Sequence, residues 1–168
     1  MGTIIRSERP GDKRMIHGLM VSAFRTDQEA LLVDRLRENG RLLISLVAAV
    51  EDTIIGHIAF SPVTIKDANT ELIGAGLAPI AVLPEWQRRG VGAQLVSAGL
   101  AAGDAAGIRF IVVLGEPDYY RRFGFKKASF WGVKNAYAVD EPFMALELRL
   151  DSIQPGLALY APEFASLS

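Results

Sequence analysis

The sequence predicts an α/β fold of the α+β kind, with a mixed, mostly antiparallel central sheet of about seven strands flanked by helices. Three observations predict it. Apolar, β-branched runs at 42–50, 54–65 and 71–83 are separated only by the short turns 51–53 and 67–69, which makes an antiparallel meander. Residues 77–114 then read as strand, glycine-bearing loop, small-residue helix and strand, the order of a right-handed crossover with parallel strands. Two amphipathic runs precede the meander, and two more apolar runs follow the crossover.

In chain order, Thr3–Arg6 is a short strand, and Arg9, Pro10 and Gly11 turn the chain so that Asp12 can cap a helix. Ile16, Leu19, Met20 and Phe24 recur at helical spacing and form one apolar stripe. A second run carries Ala30, Leu31, Val33, Asp34, Leu36 and Arg37 and ends at Asn39-Gly40, as helices often do. In the third strand Gly56 and Pro62 favour a bulge or a sheet edge. The helix from Gly92 to about Ala106 is crowded with small residues. Glycine costs about 1 kcal/mol relative to alanine inside a helix, so Gly99 and Gly103 point to close packing on the sheet. Gly107 suits the C-terminal cap, and Ile108–Leu114 is a strand buried on both faces. Pro117 opens a short helix that Gly124 stops. Ala128–Trp131 and Phe143–Leu150 read as the last two strands, the second turning Met144, Leu146, Leu148 and Leu150 inward. Residues 151–168 form a tail expected to lie packed on the surface through Leu157, Leu159, Tyr160 and Phe164.

Length and composition bound the answer further. At 168 residues the chain is expected to be a single domain, with a core over about 3–150 and the tail behind it. Half of the residues are hydrophobic and 22% are charged, the composition of a folded globule. Eighteen basic against nineteen acidic side chains leave a net charge of −1, which argues against a general nucleic-acid binder. With no cysteine, disulfides, thiolate catalysis and cysteine-ligated zinc are excluded. His17 and His57 stand far apart, so no metal site is expected. No apolar run approaches the ~20 residues that cross a bilayer, and no signal peptide or lipidation signal is read, so the expectation is a cytoplasmic protein without a membrane partner.

The chemistry concentrates in the loop of the crossover. The first N–H groups of a helix have no internal partners and carry the positive end of its dipole, so a strand, a tight turn and a helix start aim donors at one point where a phosphate can sit. Gly90 and Gly92 let the backbone approach such an anion closely. No Gly-Lys-Ser/Thr follows, and Leu95 replaces the third glycine of the dinucleotide fingerprint, which excludes the commoner phosphate loops.

Gln87-x-x-Gly90-x-Gly92 behind Ala81-Val82-Leu83-Pro84 resembles the pyrophosphate-binding motif of the GNAT superfamily of acyl-CoA-dependent N-acetyltransferases. Tyr120-x-x-x-Gly124-Phe125 resembles the family's second motif. The doubled tyrosine of Gly115-x-Pro117-x-Tyr119-Tyr120-x-Arg122-Phe123-Gly124-Phe125 looks most like the bacterial YhbS-like subgroup. The resemblance covers about residues 3–150. It implies a GNAT-like sheet whose parallel pair splays apart, with acetyl-CoA as cosubstrate in the gap. It also implies an acetyl group passing to an amine, of a small molecule or of a protein, by direct attack.

The same resemblance implies cofactor contacts from the backbone of Ile80, Ala81 and Val82 and from Gln87, Arg88, Arg89, Gly90, Val91, Gly92 and Ala93. Tyr120 is the expected acid for the leaving thiolate. A phenol with a pKa near ~10 stays protonated at neutral pH and can protonate a thiolate of pKa about 8.5. The competing reading of Tyr120 is a packed helix residue with its hydroxyl on a backbone carbonyl, and Tyr119 is either packing or substrate-facing. Many relatives carry a glutamate on the fourth strand as base, where alignment on the loop puts Gly76. Glu116 is the candidate replacement, or a solvated carboxylate beside which an ordered water moves the proton. Val113 stands where relatives have an asparagine on pantetheine. Dimers are common among relatives, so a homodimer is a possible partner state. Two other classes stay open: a non-catalytic acyl-CoA sensor or interaction module, and a nucleotide-binding oxidoreductase, which the missing third glycine disfavours.

Overall fold

The computed structural model describes residues 2–166. Nine strands are found among them, against about seven expected, and their hydrogen-bonded order is β1-β2-β3-β4-β5-β8-β6, with β9 on β3 and β7 on β9. The described residues form two compact units, one of residues 2–60, 79–102 and 162–166, the other of 61–78 and 103–161.

In the first unit β1 (Ile4–Ser7) and the start of β3 (Thr53–Lys66) both run antiparallel to β2 (Ile44–Val50). The β2–β3 register slips between Ala48 and Ala49, which face Gly56 and Ile54, so Ile55 is left as the extra residue of a bulge beside Gly56. The carbonyl of Ile55 has another use: it accepts the amide of Leu83 at 2.9 Å, fixing the chain just past the end of β4 (Glu71–Val82).

Helices α1 (Lys13–Phe24) and α2 (Gln28–Glu38) bury Ile16, Leu19, Met20, Ala30 and Val33 in one cluster with Val47, Ile54 and Ala81. On α2 the buried leucines are Leu32 and Leu36, whereas Leu31 faces outward. Asp12 does not cap α1. Its carboxylate instead takes the guanidinium of Arg6 at 2.7 and 3.1 Å and the amide of Arg9 at 2.7 Å, closing the turn before the helix. Gly40 adopts φ +71, and Arg41 donates to the Leu36 carbonyl, which ends α2 as the sequence predicts.

A polar clamp crosses this unit. Arg37 of α2 holds the Glu8 carboxylate with two bonds of 2.7 and 2.8 Å and reaches Asp34, which also takes His17 at 2.9 Å. Ser45 donates to Glu8 at 2.7 Å, and the fully buried His57 lies 2.7 Å from the same hydroxyl through Nε2. Ser45 donates its one proton to Glu8, so Nε2 is the protonated nitrogen of His57. Its Nδ1 is then a buried acceptor without a partner.

Helix α3 (Val91–Ala105) begins in this unit. A Cβ at Gly99 would stand 2.5 Å from the Phe60 ring, the close approach expected of that glycine. Gly103, in the second unit, is less constrained, because its Cβ would meet Ile111 and Leu148 at an ordinary 3.5 Å.

In the second unit β5 (Phe110–Leu114) pairs in parallel with β4 and antiparallel with β8 (Phe143–Glu147), while β6 (Lys126–Lys127) adds to the far side of β8. The tail is a structural element: β9 (Gly156–Tyr160) runs antiparallel along the end of β3, and β7 (Val133–Asn135) runs parallel to β9. Val63, Ile65, Phe110, Val112, Phe143, Ala145, Ile153 and Ala158 form the core of this unit.

Two strand assignments change here. Ala128–Trp131 is a 3₁₀ turn that ends at Gly132, φ +74, burying Ala128 and leaving Phe130 exposed. The last predicted strand stops at Glu147, because the amides of Leu148 and Arg149 both turn to the carbonyl of Arg109. Leu150 is therefore 89% exposed instead of inward. Among the described residues, no helix is long and apolar enough to cross a membrane.

Burial holds the pKa of His57 down to about 4, against 6.5 in the unfolded chain. The unfolded chain therefore takes up a proton that the folded one refuses, so stability is complete above about pH 6.5 and falls as the pH drops toward 4. A loss of about 3 kcal/mol across that window is expected in denaturant titrations, and His57→Gln should flatten it. Gly99→Ala should lower stability by about 1–2 kcal/mol in the same measurement, since the Phe60 ring must move to admit the methyl group.

Candidate functional site

The loop at the end of β4 is built from the first unit. Pro84–Trp86 make one 3₁₀ turn, closed by the Trp86 amide on the Leu83 carbonyl at 2.8 Å and the Gln87 amide on the Pro84 carbonyl. The side-chain amide of Gln87 donates to the Val82 carbonyl at 3.0 Å. Gln87 thus braces the loop across the strand end. Arg88 and Gly90 both adopt left-handed backbone, φ +62 and +82, on either side of Arg89. That conformation costs a non-glycine residue free energy, so Arg88 is held there by its surroundings.

The result is a run of free donors. The first α3 hydrogen bond is from the Gln94 amide to the Gly90 carbonyl at 3.0 Å. Among the described residues, the amides of Arg88, Arg89, Gly90, Val91, Gly92 and Ala93 find no acceptor in the chain. Alternating left- and right-handed residues turn successive N–H groups toward one side, the geometry of an anion-binding nest, and the helix dipole adds to it. Val91 is buried and anchors the turn, while Arg88, Arg89 and Gly90 are exposed. The Arg89 guanidinium lies 5.0 Å over the Trp86 ring, which holds a cation beside the open amides. Of the remaining expected contacts, Ile80 and Val82 are half-buried and Ala81 is buried in the α1/α2 cluster.

Tyr120 and Glu116 belong to the second unit. Helix α4 (Pro117–Arg121) places Glu116 at its N-cap and Tyr120 on its inner face. The Tyr120 ring lies edge-on to Tyr119 and Phe125, with centroids 5.0 and 5.7 Å away, and directly over Gly115, where any Cβ would collide with it. Gly115 is glycine for that reason. Among the described residues the Tyr120 hydroxyl has no hydrogen-bond partner, so the reading in which it rests on a backbone carbonyl does not hold. Burial, with Tyr119 adding to it, pushes the Tyr120 phenol up to about 12, and it is fully protonated at neutral pH. Glu116 is exposed. Tyr119 packs: its ring meets Phe123 at 5.5 Å and carries Arg122 at 4.4 Å on one face. Arg121 is paired with Asp118 on the surface.

The parallel ladder between β4 and β5 has just two pairs, Ala75 with Ile111 and Gly76 with Val112, and ends there although β5 continues to Leu114. At Gly76 a Cβ would stand 2.8 Å from both Tyr160 and Val63, so no side chain fits where a fourth-strand base would be carried. Sequence reasoning places Tyr160 among the packing residues of a surface tail and does not foresee its position over Gly76. Its signal was faint: Leu157-Ala158-Leu159-Tyr160 is a strand-length apolar run behind Pro155, inside what reads as a surface tail. Among the described residues no three histidine or carboxylate side chains converge as a metal site would require.

Comparison with known proteins gives the same direction. The family model described as an acetyltransferase (GNAT) domain matches residues 41–127. The chain is 39% identical over 127 residues to the uncharacterized N-acetyltransferase YhbS of Escherichia coli K12, an alignment that spans 75% of each protein. The crystal structure of Escherichia coli YhbS in complex with CoA superposes with a TM-score of 0.91 at 35% identity, covering 99% of this chain and 93% of that one. A GNAT family acetyltransferase from Brucella melitensis in complex with acetyl-CoA gives 0.82 at 38% identity, covering 97% and 98%. On its strand-loop-helix motif, its mixed sheet and these likenesses, the chain belongs to the GNAT family of acetyltransferases.

Proposed function

We propose that this protein is an acetyl-CoA-dependent N-acetyltransferase that moves the acetyl group from the CoA thioester to an amine by direct attack. The observation that carries the reading is the set of amides from Arg88 to Ala93 at the head of α3, free among the described residues, which suits a phosphate group. The YhbS structure holds CoA and the Brucella melitensis structure holds acetyl-CoA, which supports the same cosubstrate here. Arg89 adds a cation beside those amides, and the backbone of Ile80, Ala81 and Val82 is assigned to the pantetheine arm.

In the reaction the amine nitrogen attacks the thioester carbonyl carbon, the C–N bond forms, and the electron pair of the breaking C–S bond goes to sulfur. Tyr120 is assigned as the acid that protonates that sulfur. Its hydroxyl has no competing acceptor, and with a pKa of about 12 it arrives protonated. Glu116 is solvated at the head of the same helix, so the proton leaving the amine goes to water. A protein that merely sensed acyl-CoA would have no use for a protonated phenol whose hydroxyl, among the described residues, is left unengaged.

Tyr120→Phe is expected to lower CoA release by about 10²-fold or more while acetyl-CoA affinity in calorimetry stays within about threefold. Unchanged turnover would remove Tyr120 from the chemistry. Gly92→Val should weaken acetyl-CoA binding at least about tenfold, because its side chain enters the space the phosphates need. Binding without CoA release across a panel of amines, peptides and aminoglycosides would make the protein a sensor.

A further inference from the structure

Strand β3 changes register partway along. Next to the turn, Val50 faces Thr53 and Ala49 faces Ile54; past the bulge, Ala48 faces Gly56, Val47 faces His57 and Ile44 faces Phe60. A two-residue hairpin closes on a hydrogen-bonded pair, and in an unbroken ladder every second residue turns to the same neighbour. Continued without the bulge, the pairing at the turn would set Ile55 opposite Ala48 and turn its carbonyl back to β2. The bulge gives that carbonyl instead to the Leu83 amide, 2.9 Å away, at the foot of the candidate phosphate loop.

Hydrophobicity does not choose between the two registers. Residues 54–60 are buried throughout, with Ile54 in the cluster of α1 and α2, and Ile58 and Phe60 beside Gly99 of α3. A one-residue slip exchanges the two faces of a strand, and where both are covered and apolar it trades one apolar set for another. His57 is the exception, the one polar side chain in that run and fully buried. In the observed register it gives its Nε2 proton to Ser45 at 2.7 Å. Ser45 is held on Glu8 at 2.7 Å, and Glu8 on Arg37 of α2 at 2.7 and 2.8 Å. After a slip His57 would share the face of Leu46, toward α3, which meets this strand with Val91, Leu95 and Gly99 and offers no side-chain acceptor. A buried N–H without a partner is costly, so the polar contact discriminates where the apolar ones do not.

We propose that the Ser45–His57 bond is a register key: it holds β3 one residue out of step with its own turn, and through the Ile55 carbonyl it makes His57 a positioning residue for the amides that receive the phosphates of acetyl-CoA. The cofactor half of this inference rests on the transferase reading.

Amide exchange of the full chain without ligand, followed by NMR, tests the key, and calorimetry with acetyl-CoA tests its consequence. In Ser45→Ala and in His57→Leu the Leu83 amide should exchange at least about tenfold faster than in the parent chain. The amides of Arg25 and Arg41, which close α1 on Val21 and α2 on Leu36, should keep their rates. Acetyl-CoA should bind both variants at least about tenfold more weakly. His57→Gln, whose side-chain N–H can stand in for Nε2, should stay within about threefold of the parent in both measurements.

Faster exchange at Leu83, Arg25 and Arg41 together would make the clamp a source of global stability alone and overturn the proposal. A Leu83 amide as protected as in the parent would overturn it too, and so would unaltered affinity beside a quickened Leu83. Should His57→Leu fail to fold, Ser45→Ala carries the same expectations. A parent chain that binds no acetyl-CoA would sink the transferase reading, while the exchange rates, taken without ligand, judge the register key on their own.

Discussion

A helix must begin somewhere, and where it begins it leaves amides without partners. The first unit is arranged around that fact. Proteins usually cover such groups with a capping side chain, yet at the head of α3 the residues are Gly90, Val91, Gly92 and Ala93, none of which can reach back with an oxygen. The preceding loop adds to the exposed donors through left-handed backbone at Arg88 and Gly90. What holds this costly arrangement is rigid on both sides. Leu83 is tied to the bulge at Ile55, Gln87 ties the loop to Val82, and Val91 is buried next to the strand glycine Gly56, whose Cβ would stand 3.2 Å from it. The bulge is therefore more than an irregularity of the meander. By leaving Ile55 out of register, it frees the carbonyl that positions the loop.

The second unit solves a different problem, that of keeping a phenol protonated and unengaged. Tyr120 buries its ring within a cluster of aromatic side chains that offer packing but no acceptor, and among the described residues nothing takes up its hydroxyl. Gly115 makes room for the ring, and the short helix opened by Pro117 sets its direction. The polar clamp of the first unit shows the contrast. There Glu8, Arg37, Ser45 and His57 satisfy one another almost completely, which is how buried polar groups behave when their role is structural.

Much of this was legible in the sequence, because the signals were local. Glycine at a helix start, proline at the first turn of α4 and alternating small residues on α3 each act through backbone sterics that any reader of the chain can apply. The meander and crossover followed from periodicity and turn residues. What failed depended on partners distant in sequence. Asp12 resembles a cap until Arg6 is seen to claim it, and Ala128–Trp131 resembles a strand until no strand is found to pair with it. Leu150 fits an inward alternation that ends when Arg109 captures the two preceding amides. Tyr160 reads only as a packing residue of the tail, since its place over Gly76 is fixed by pairing with Val63 nearly one hundred residues earlier.

The distribution of backbone and side-chain roles carries a consequence for the family. The groups that would grip the pyrophosphate are main-chain amides, and nearly any residue supplies those provided the φ values and the absence of bulk are kept. Arg89 can therefore vary where Gly90, at φ +82, cannot. The strand position at Gly76, by contrast, is governed by side chains, those that stand over it. A tyrosine from a tail strand fills that space and excludes a carboxylate by volume. A relative with a shorter or differently paired tail would leave the same strand position open to a charged side chain. Whether that position is filled is then decided by the C-terminal strand, outside residues 41–127 that the family model matches.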